Sequence, residues 1–199
     1  SAPRRPRRAC VAAVAREVLA VLPLKAHRRL LDIGGGSGAF AIEAARRHLH
    51  LDIGLLDLPP VATLARDAVA RAGLSGRIAV HGGSIFGAEA PRGADFVTLN
   101  RVLHDHDDGA AQAMLGAAFS LLAPGGAIAI AEPMAGTPGA EPAGDAYFGF
   151  YLLAMGQGRP RRFDEIAAML GAAGFAQIRE LPTASPLIVR VATGRKPAR

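Results

Sequence analysis

Residues 99–108 read LNRVLHDHDD, and positions 104–108 gather two histidines and three aspartates. Three chemistries suit such a cluster. Imidazoles flanked by carboxylates chelate zinc or iron, but His104 and His106 would need at least one further ligand. The other histidines (His27, His48, His50 and His81) fall in the first half of the chain and offer no second matched pair, so no metal is expected. The second chemistry is structural: Asp107 and Asp108 cap amides at a helix start and face its positive dipole. The third is proton transfer. His104 follows RVL where a strand pattern ends, and imidazole, with an ordinary pKa near ~6.5, suits a general base at neutral pH.

A second stretch, LDIGGGSGAF, offers a ligand cradle: an apolar run ends at Asp32, and Gly34, Gly36 and Gly38 alternate before a helix pattern begins. Glycine belongs where φ is positive or where a ligand lies against the backbone, and the following helix start presents free amides. Gly34, Gly36 and Ala39 also fit the dinucleotide fingerprint, so the loop alone is ambiguous. Asp57, at the end of the next strand pattern, suits ribose hydroxyls in either case. Asp32 distinguishes the two. Its carboxylate would repel a pyrophosphate and attract the ammonium of an amino-acid tail, as in S-adenosylmethionine.

These residues need a scaffold to hold them. Apolar residues recur at helical spacing over Val11–Leu22, ahead of Pro23. RRLLDI, LDIGLLD, RIAVHG, ADFVTLN and GAIAIAEPM read as five strands. AFAIEAARRHL, VATLARDAVARAGL and DGAAQAMLGAAFSLL read as helices among them, the last with Asp107 or Asp108 as N-cap. GDAYFGFYLLAMG and RFDEIAAMLGAAGF follow as helices, and QIRELPTASPLIVRVATGR as a terminal hairpin. Strands alternating with helices predict an α/β fold with a doubly wound, mostly parallel seven-stranded sheet and an antiparallel C-terminal hairpin. A terminal hairpin after the last helix also resembles the way S-adenosylmethionine methyltransferases finish their sheet, which favours that cofactor.

With 199 residues the chain suits one well-cored domain, divided here into a basic lead-in (1–28) and a catalytic domain (29–199). The lone Cys10 excludes a disulfide framework, and a cytoplasmic setting is expected. No signal peptide is expected, because an amphipathic segment rather than an apolar core follows SAPRRPRRAC. All but two of the 23 basic residues are arginine, spread along the chain without aromatic partners, so nucleic-acid binding is disfavoured. The N-terminal arginine cluster is compatible with peripheral contact at an anionic inner-membrane surface.

LLDIGGGSGAF, RVLHDHDD, PGGAIAIAEPMAGTPGAE, DAYFGFYLLAMGQGRPR and DEIAAMLGAAGF together resemble the class I O-methyltransferases of the caffeate and hydroxyindole type. The similarity is closer still to the bacterial demethylspheroidene branch of carotenoid synthesis, and it covers most of residues 29–190. It implies S-adenosylmethionine as cofactor and S-adenosylhomocysteine as product. Asp32, Gly34, Gly36, Gly38, Asp57, Leu58, Ser84, Ile85, Asn100 and Arg101 would contact the cofactor. His104 would be the general base, with Glu132 in AEPM orienting it and Asp105 as orienter or cap. Two departures stand out: Pro160 occupies the place of a second flanking acid, and Ser84 that of an aspartate near the adenine. The family's N-terminal helical domain, which dimerises and closes the pocket, is expected to be missing, so a homodimer is an expectation for a longer protein only.

For the acceptor, Tyr147, Phe148, Tyr151 and Met155 in DAYFGFYLLAMGQG form an apolar stretch with no cation to seat a carboxylate. A core helix explains that composition, and so does a pocket for a long apolar substrate. A hydroxylated carotenoid is the expected acceptor, with an aromatic polyketide or phenol as the alternative. A nicotinamide oxidoreductase would need a lysine near Tyr147 or Tyr151, and only Lys25 and Lys196 exist. A degenerate cofactor-binding module without turnover is the non-enzymatic competitor.

Overall fold

The computed structural model describes residues 5–138 and 158–198, with side chains from residue 12 onward. The strands are β1 (Arg29–Ile33), β2 (Asp52–Asp57), β3 (Ile78–Gly82), β4 (Ala94–Asn100), β5 (Leu122–Glu132), β6 (Ala176–Leu181) and β7 (Arg190–Arg195). They form one sheet in the order β3-β2-β1-β4-β5-β7-β6. β1 to β5 run parallel, while β7 lies antiparallel between β5 and β6. The expected doubly wound sheet with an antiparallel C-terminal pair is thus the observed one.

Side chains alternate across the sheet, as the pleat requires. Leu30, Leu55 and Phe96 pack on the face covered by helices α1 (Arg5–Val21), α2 (Ala39–Arg47) and α3 (Pro59–Arg71). Leu31, Leu56, Val97 and Ile128 pack on the opposite face, against α4 (Asp108–Leu121) and α5 (Phe163–Ala172). Helices on both faces explain why β1 and β4 are buried along almost their whole length, polar residues included. Helix α1 is also tied to the loop before β7, where the Glu17 carboxylate accepts from the Ser185 amide (2.9 Å) and hydroxyl (2.5 Å).

Two local details refine the sequence reading. The PGG stretch before the core of β5 is a bulge within the strand rather than a separate turn, and register shifts between Ala94 and Phe96 of β4. Asp107 is the cap of α4, accepting from the Ala110 amide at 2.8 Å, and Asp108 is the first helical residue. The strand order reverses between β1 and β4, where an open α/β sheet parts its loops into a crevice. Both sequence stretches that carry chemistry end at this point.

Candidate functional site

The glycine loop leaves β1 at this crevice and turns into α2. Gly34, Gly36 and Gly38 all have positive φ (66°, 57° and 80°). At Gly34 a Cβ would also lie 2.7 Å from a Val102 methyl, so the loop packs directly on the segment leading to His104. Gly34→Ala combines left-handed strain with this clash; we expect about 1–3 kcal/mol lost stability, read as a lower Tm in thermal unfolding. Gly38 begins α2 without a side-chain cap, so the first amides of that helix remain available to an anionic group.

Asp32 lies at the floor of the loop and is fully buried. One carboxylate oxygen accepts from the Thr98 hydroxyl (2.8 Å) and the Asn100 amide (2.9 Å). The other oxygen is buried without a partner among the described residues, and so is the Asn100 carbonyl oxygen. Burial pushes the Asp32 carboxyl up to about 7 against the pull of its two donors, with Asp57 adding to the rise. Two unsatisfied acceptors beside one cleft call for a donor, and a cationic one most of all. Asp57 is hydrogen-bonded to the same loop, accepting from the Gly36 amide (2.8 Å) and the Leu58 amide (2.7 Å).

The cleft itself, about 270 Å³, is lined by Asp32, Gly34, Gly36, Phe40, Asn100 and Arg101 from the loop and strand ends. Its far wall is α1, through Val14, Ala15 and Val18. Arg101 holds a left-handed backbone (φ 58°), unusual for a non-glycine residue and a form of strain that gathers at functional sites. Its amide donates to the Ala131 carbonyl (2.8 Å), which fixes the turn toward His104 against β5.

His104 sits in a short 3-10 turn, Leu103–Asp105, and is 4% exposed. Its Nδ1 is hydrogen-bonded to one oxygen of Glu132, which is itself buried at the end of β5. The other Glu132 oxygen accepts from the amides of Val102 (2.9 Å) and Leu103 (2.8 Å). One carboxylate thus fixes both the turn and the ring. In the neutral ring Nδ1 carries the proton, because a carboxylate only accepts, and Nε2 keeps its lone pair. Asp105 stands 3.2 Å from Nε2, but that oxygen makes no hydrogen bond among the described residues, so the contact is electrostatic rather than aligned. Burial alone would lower the imidazole; the Glu132 hydrogen bond and the charges of Glu132 and Asp105 outweigh it, against Arg101, and hold it above its ordinary value.

The structure brings together Asp32, Gly34, Gly36, Gly38, Asp57, Asn100 and Arg101 at the loop, and His104, Glu132 and Asp105 at the turn. Leu58 is exposed beside Asp57. Ser84 accepts from the Phe86 amide (3.2 Å) and lines a separate hollow with Arg66 and His81. Ile85 is turned into the core and lines neither hollow. Tyr147, Phe148, Tyr151 and Met155 lie outside the described residues. Pro160 stands in the segment beside the His104 turn, and it brings no acid there. Sequence reasoning missed the α1 wall, since Val14, Ala15 and Val18 read as ordinary core spacing. It also missed Thr98 as a partner of Asp32, a contact spanning 66 positions.

A family model described as an O-methyltransferase domain matches residues 8–176. Demethylspheroidene O-methyltransferase of Cereibacter sphaeroides is 38% identical over 185 residues, which are 93% of this chain and 49% of the relative. The 3-hydroxy-5-methyl-1-naphthoate 3-O-methyltransferase of Streptomyces sahachiroi is 34% identical, over 92% of this chain and 53% of that protein. The crystal structure of human N-acetylserotonin methyltransferase in complex with SAM superposes with a TM-score of 0.80 at 26% identity, covering 96% of this chain and 55% of that one. The chain therefore spans about half the length of the curated relatives it matches.

Proposed function

The chain belongs to the O-methyltransferase family, and from that premise we propose that it methylates a hydroxyl of an apolar acceptor with S-adenosylmethionine. The observation that carries the cofactor assignment is the pair of buried, partnerless acceptors on Asp32 and Asn100. An ammonium satisfies both; a pyrophosphate would meet two oxygens and be repelled. Gly34, Gly36 and the uncapped start of α2 would hold the carboxylate end, and Asp57 the ribose. When bound, the cofactor supplies an electrophilic methyl group on a sulfonium.

The protein's part is to position a hydroxyl and take its proton. An alcohol attacking carbon must lose its proton as the new bond forms, since free alkoxide is inaccessible near neutral pH. His104 accepts that proton at Nε2, and Glu132, across the ring, stabilises the resulting imidazolium and keeps the ring oriented. Asp105 adds a second negative charge on the accepting side. Help of this kind is worth about 10²–10⁴-fold.

A hydroxylated carotenoid is the acceptor we favour, supported by the name of the 38% identical relative and by the apolar composition of residues 145–157. The naphthoate-methylating relative favours an aromatic acceptor as the second reading. The test is to incubate the protein with labelled S-adenosylmethionine and either demethylspheroidene or a hydroxynaphthoate. Label in the carotenoid product supports the first reading, and label only in the naphthoate supports the second. No transfer to either, with cofactor binding intact, would identify a binding module instead.

Asp32 makes binding pH-dependent. Its carboxyl is raised, so below about pH 7 it is protonated and an ammonium gains less from it. Calorimetric Kd values for S-adenosylmethionine are expected to rise by up to about tenfold per unit below pH 7, and NAD is expected not to bind. Asp32→Asn should remove that dependence and weaken binding. A raised carboxyl costs folding stability as pH climbs from the ordinary carboxylate range to about 7. The same variant should therefore melt higher than the parent at pH 8 and equally at pH 4.

A further inference from the structure

We propose that Arg161 is a positioning residue for His104, acting through the backbone of the turn that carries it; this rests on the reading of His104 as the base. Arg161 is 3% exposed, although it is a cation in the segment between β5 and α5. Its guanidinium reaches the His104 turn across 58 positions of sequence. Nη1 donates to the Leu103 carbonyl at 2.7 Å, and Nη2 to the His106 carbonyl at 2.8 Å. Nε donates to Asp108 at 2.9 Å, at the first turn of α4. The two carbonyls lie on either side of His104, so one planar group spans the residue without a hydrogen bond to its ring. Arginine suits this task, because its fork of donors is rigid and permanently charged.

A second, independent contact supports the same reading. Gly158, three residues earlier, has φ +97°, and a Cβ there would meet the His104 carbonyl oxygen at 2.3 Å, the Asp105 carbonyl carbon at 2.7 Å and the His106 amide at 2.9 Å. The backbone of this segment therefore lies directly on the backbone of the turn. The Arg161 carbonyl in turn accepts from the Ala135 amide (3.0 Å), beyond the end of β5, the strand that carries Glu132. The segment links the two halves of the His104–Glu132 pair. Arg159 also reaches Asp108 (3.0 Å), but that ion pair is exposed and carries little. No other side chain among the hydrogen bonds of the described residues donates to the carbonyls of Leu103 or His106.

If Arg161 only stabilised the fold, its loss would lower Tm and leave the surviving enzyme normal. A positioning role predicts a change at His104. The first measurement is the ring NMR titration of His104, assigned by its absence in His104→Ala, in the parent and in Arg161→Met. Among the described residues the charged groups facing the ring are Glu132, Asp105 and Arg101, and none of them is altered. The parent should titrate above the ordinary histidine value, and Arg161→Met should titrate lower, as the ring loosens from Glu132. An unchanged titration would overturn the proposal.

The second measurement is turnover with the acceptor that supports methyl transfer. Arg161→Met should keep the S-adenosylmethionine Kd within about twofold and lower kcat by about 10–100-fold, the scale of a misplaced catalytic group. Added to His104→Ala it should cause no further loss, because both changes act on one group. Losses that multiply would overturn the positioning role. Should His104→Ala keep full turnover while Arg161→Met still shifts the titration, the base reading fails and the link from Arg161 to the ring stands. Where Arg161→Met does not fold, Arg161→Lys, which keeps the charge and loses the fork, is read in the same two measurements with smaller changes expected.

Discussion

Glu132→Gln is expected to lower turnover by roughly 10²–10⁴-fold while the protein keeps its fold and its cofactor affinity. The substitution is nearly isosteric, and the amide oxygen can still accept from Val102 and Leu103. The amide nitrogen would then face Nδ1 of His104 with two hydrogens of its own. An imidazole Nδ1–H cannot donate to a donor, so the ring changes tautomer, and Nδ1 accepts while Nε2 becomes protonated. The nitrogen that should take the proton then already holds one. Glu132→Asp would report differently: it keeps the charge, shortens the reach and retains part of the activity. The check is steady-state kinetics with the working acceptor, alongside calorimetric Kd values for S-adenosylmethionine. Parental turnover in Glu132→Gln would mean that the tautomer is irrelevant, and with it the base.

His104→Ala should lower kcat a hundredfold or more and leave the cofactor Kd within about twofold, since the ring does not line the glycine-loop cleft. Its pH profile makes the sharper test. The imidazole is held above its ordinary value, so at saturating S-adenosylmethionine, where the Asp32 titration of cofactor binding drops out, the parent enzyme should lose kcat as pH falls through that raised value, giving an acidic limb. His104→Ala should flatten the limb. The stability linkage runs the other way: the raised histidine stabilises the fold at acid pH, and that contribution fades as pH rises through the raised value. Activity and stability should therefore move oppositely with pH across this range. A variant with residual activity and an unchanged limb would assign the titration to another group.

The parts of this site legible in the sequence were those written in contiguous residues. LDIGGGSG carries its own turn geometry, and all three alternate glycines do adopt positive φ. In HDHDD the neighbouring acid and the helix cap act on residues within a few positions, whereas the base candidate depends on Glu132, 28 positions on. The long-range partners could not be read that way. Thr98 and Asp32 lie on neighbouring parallel strands, 66 positions apart, and only the sheet order reveals the pairing. In the sequence Arg161 is one of many scattered arginines, since a guanidinium that binds main-chain carbonyls leaves no complementary residue to find. Ile85 shows the reverse case. Similarity places it at the cofactor, and here it is a buried member of the cluster that also holds Leu56, Ala90 and Val97.

Strand β7 has a consequence for the order in which the protein assembles. It is the seventh strand in sequence but lies inside the sheet, pairing residue by residue with β5, where Arg190 stands opposite Glu132 and Val191 opposite Ala131. Until residues 190–195 have been made and have inserted, β5 is a sheet edge, and the strand that carries Glu132 has a neighbour on one side only. The parallel strands and the glycine loop can form earlier, from residues already synthesised. The strand that carries Glu132 therefore gains its second neighbour last, and the proton-accepting pair is locked in place only once β7 has inserted.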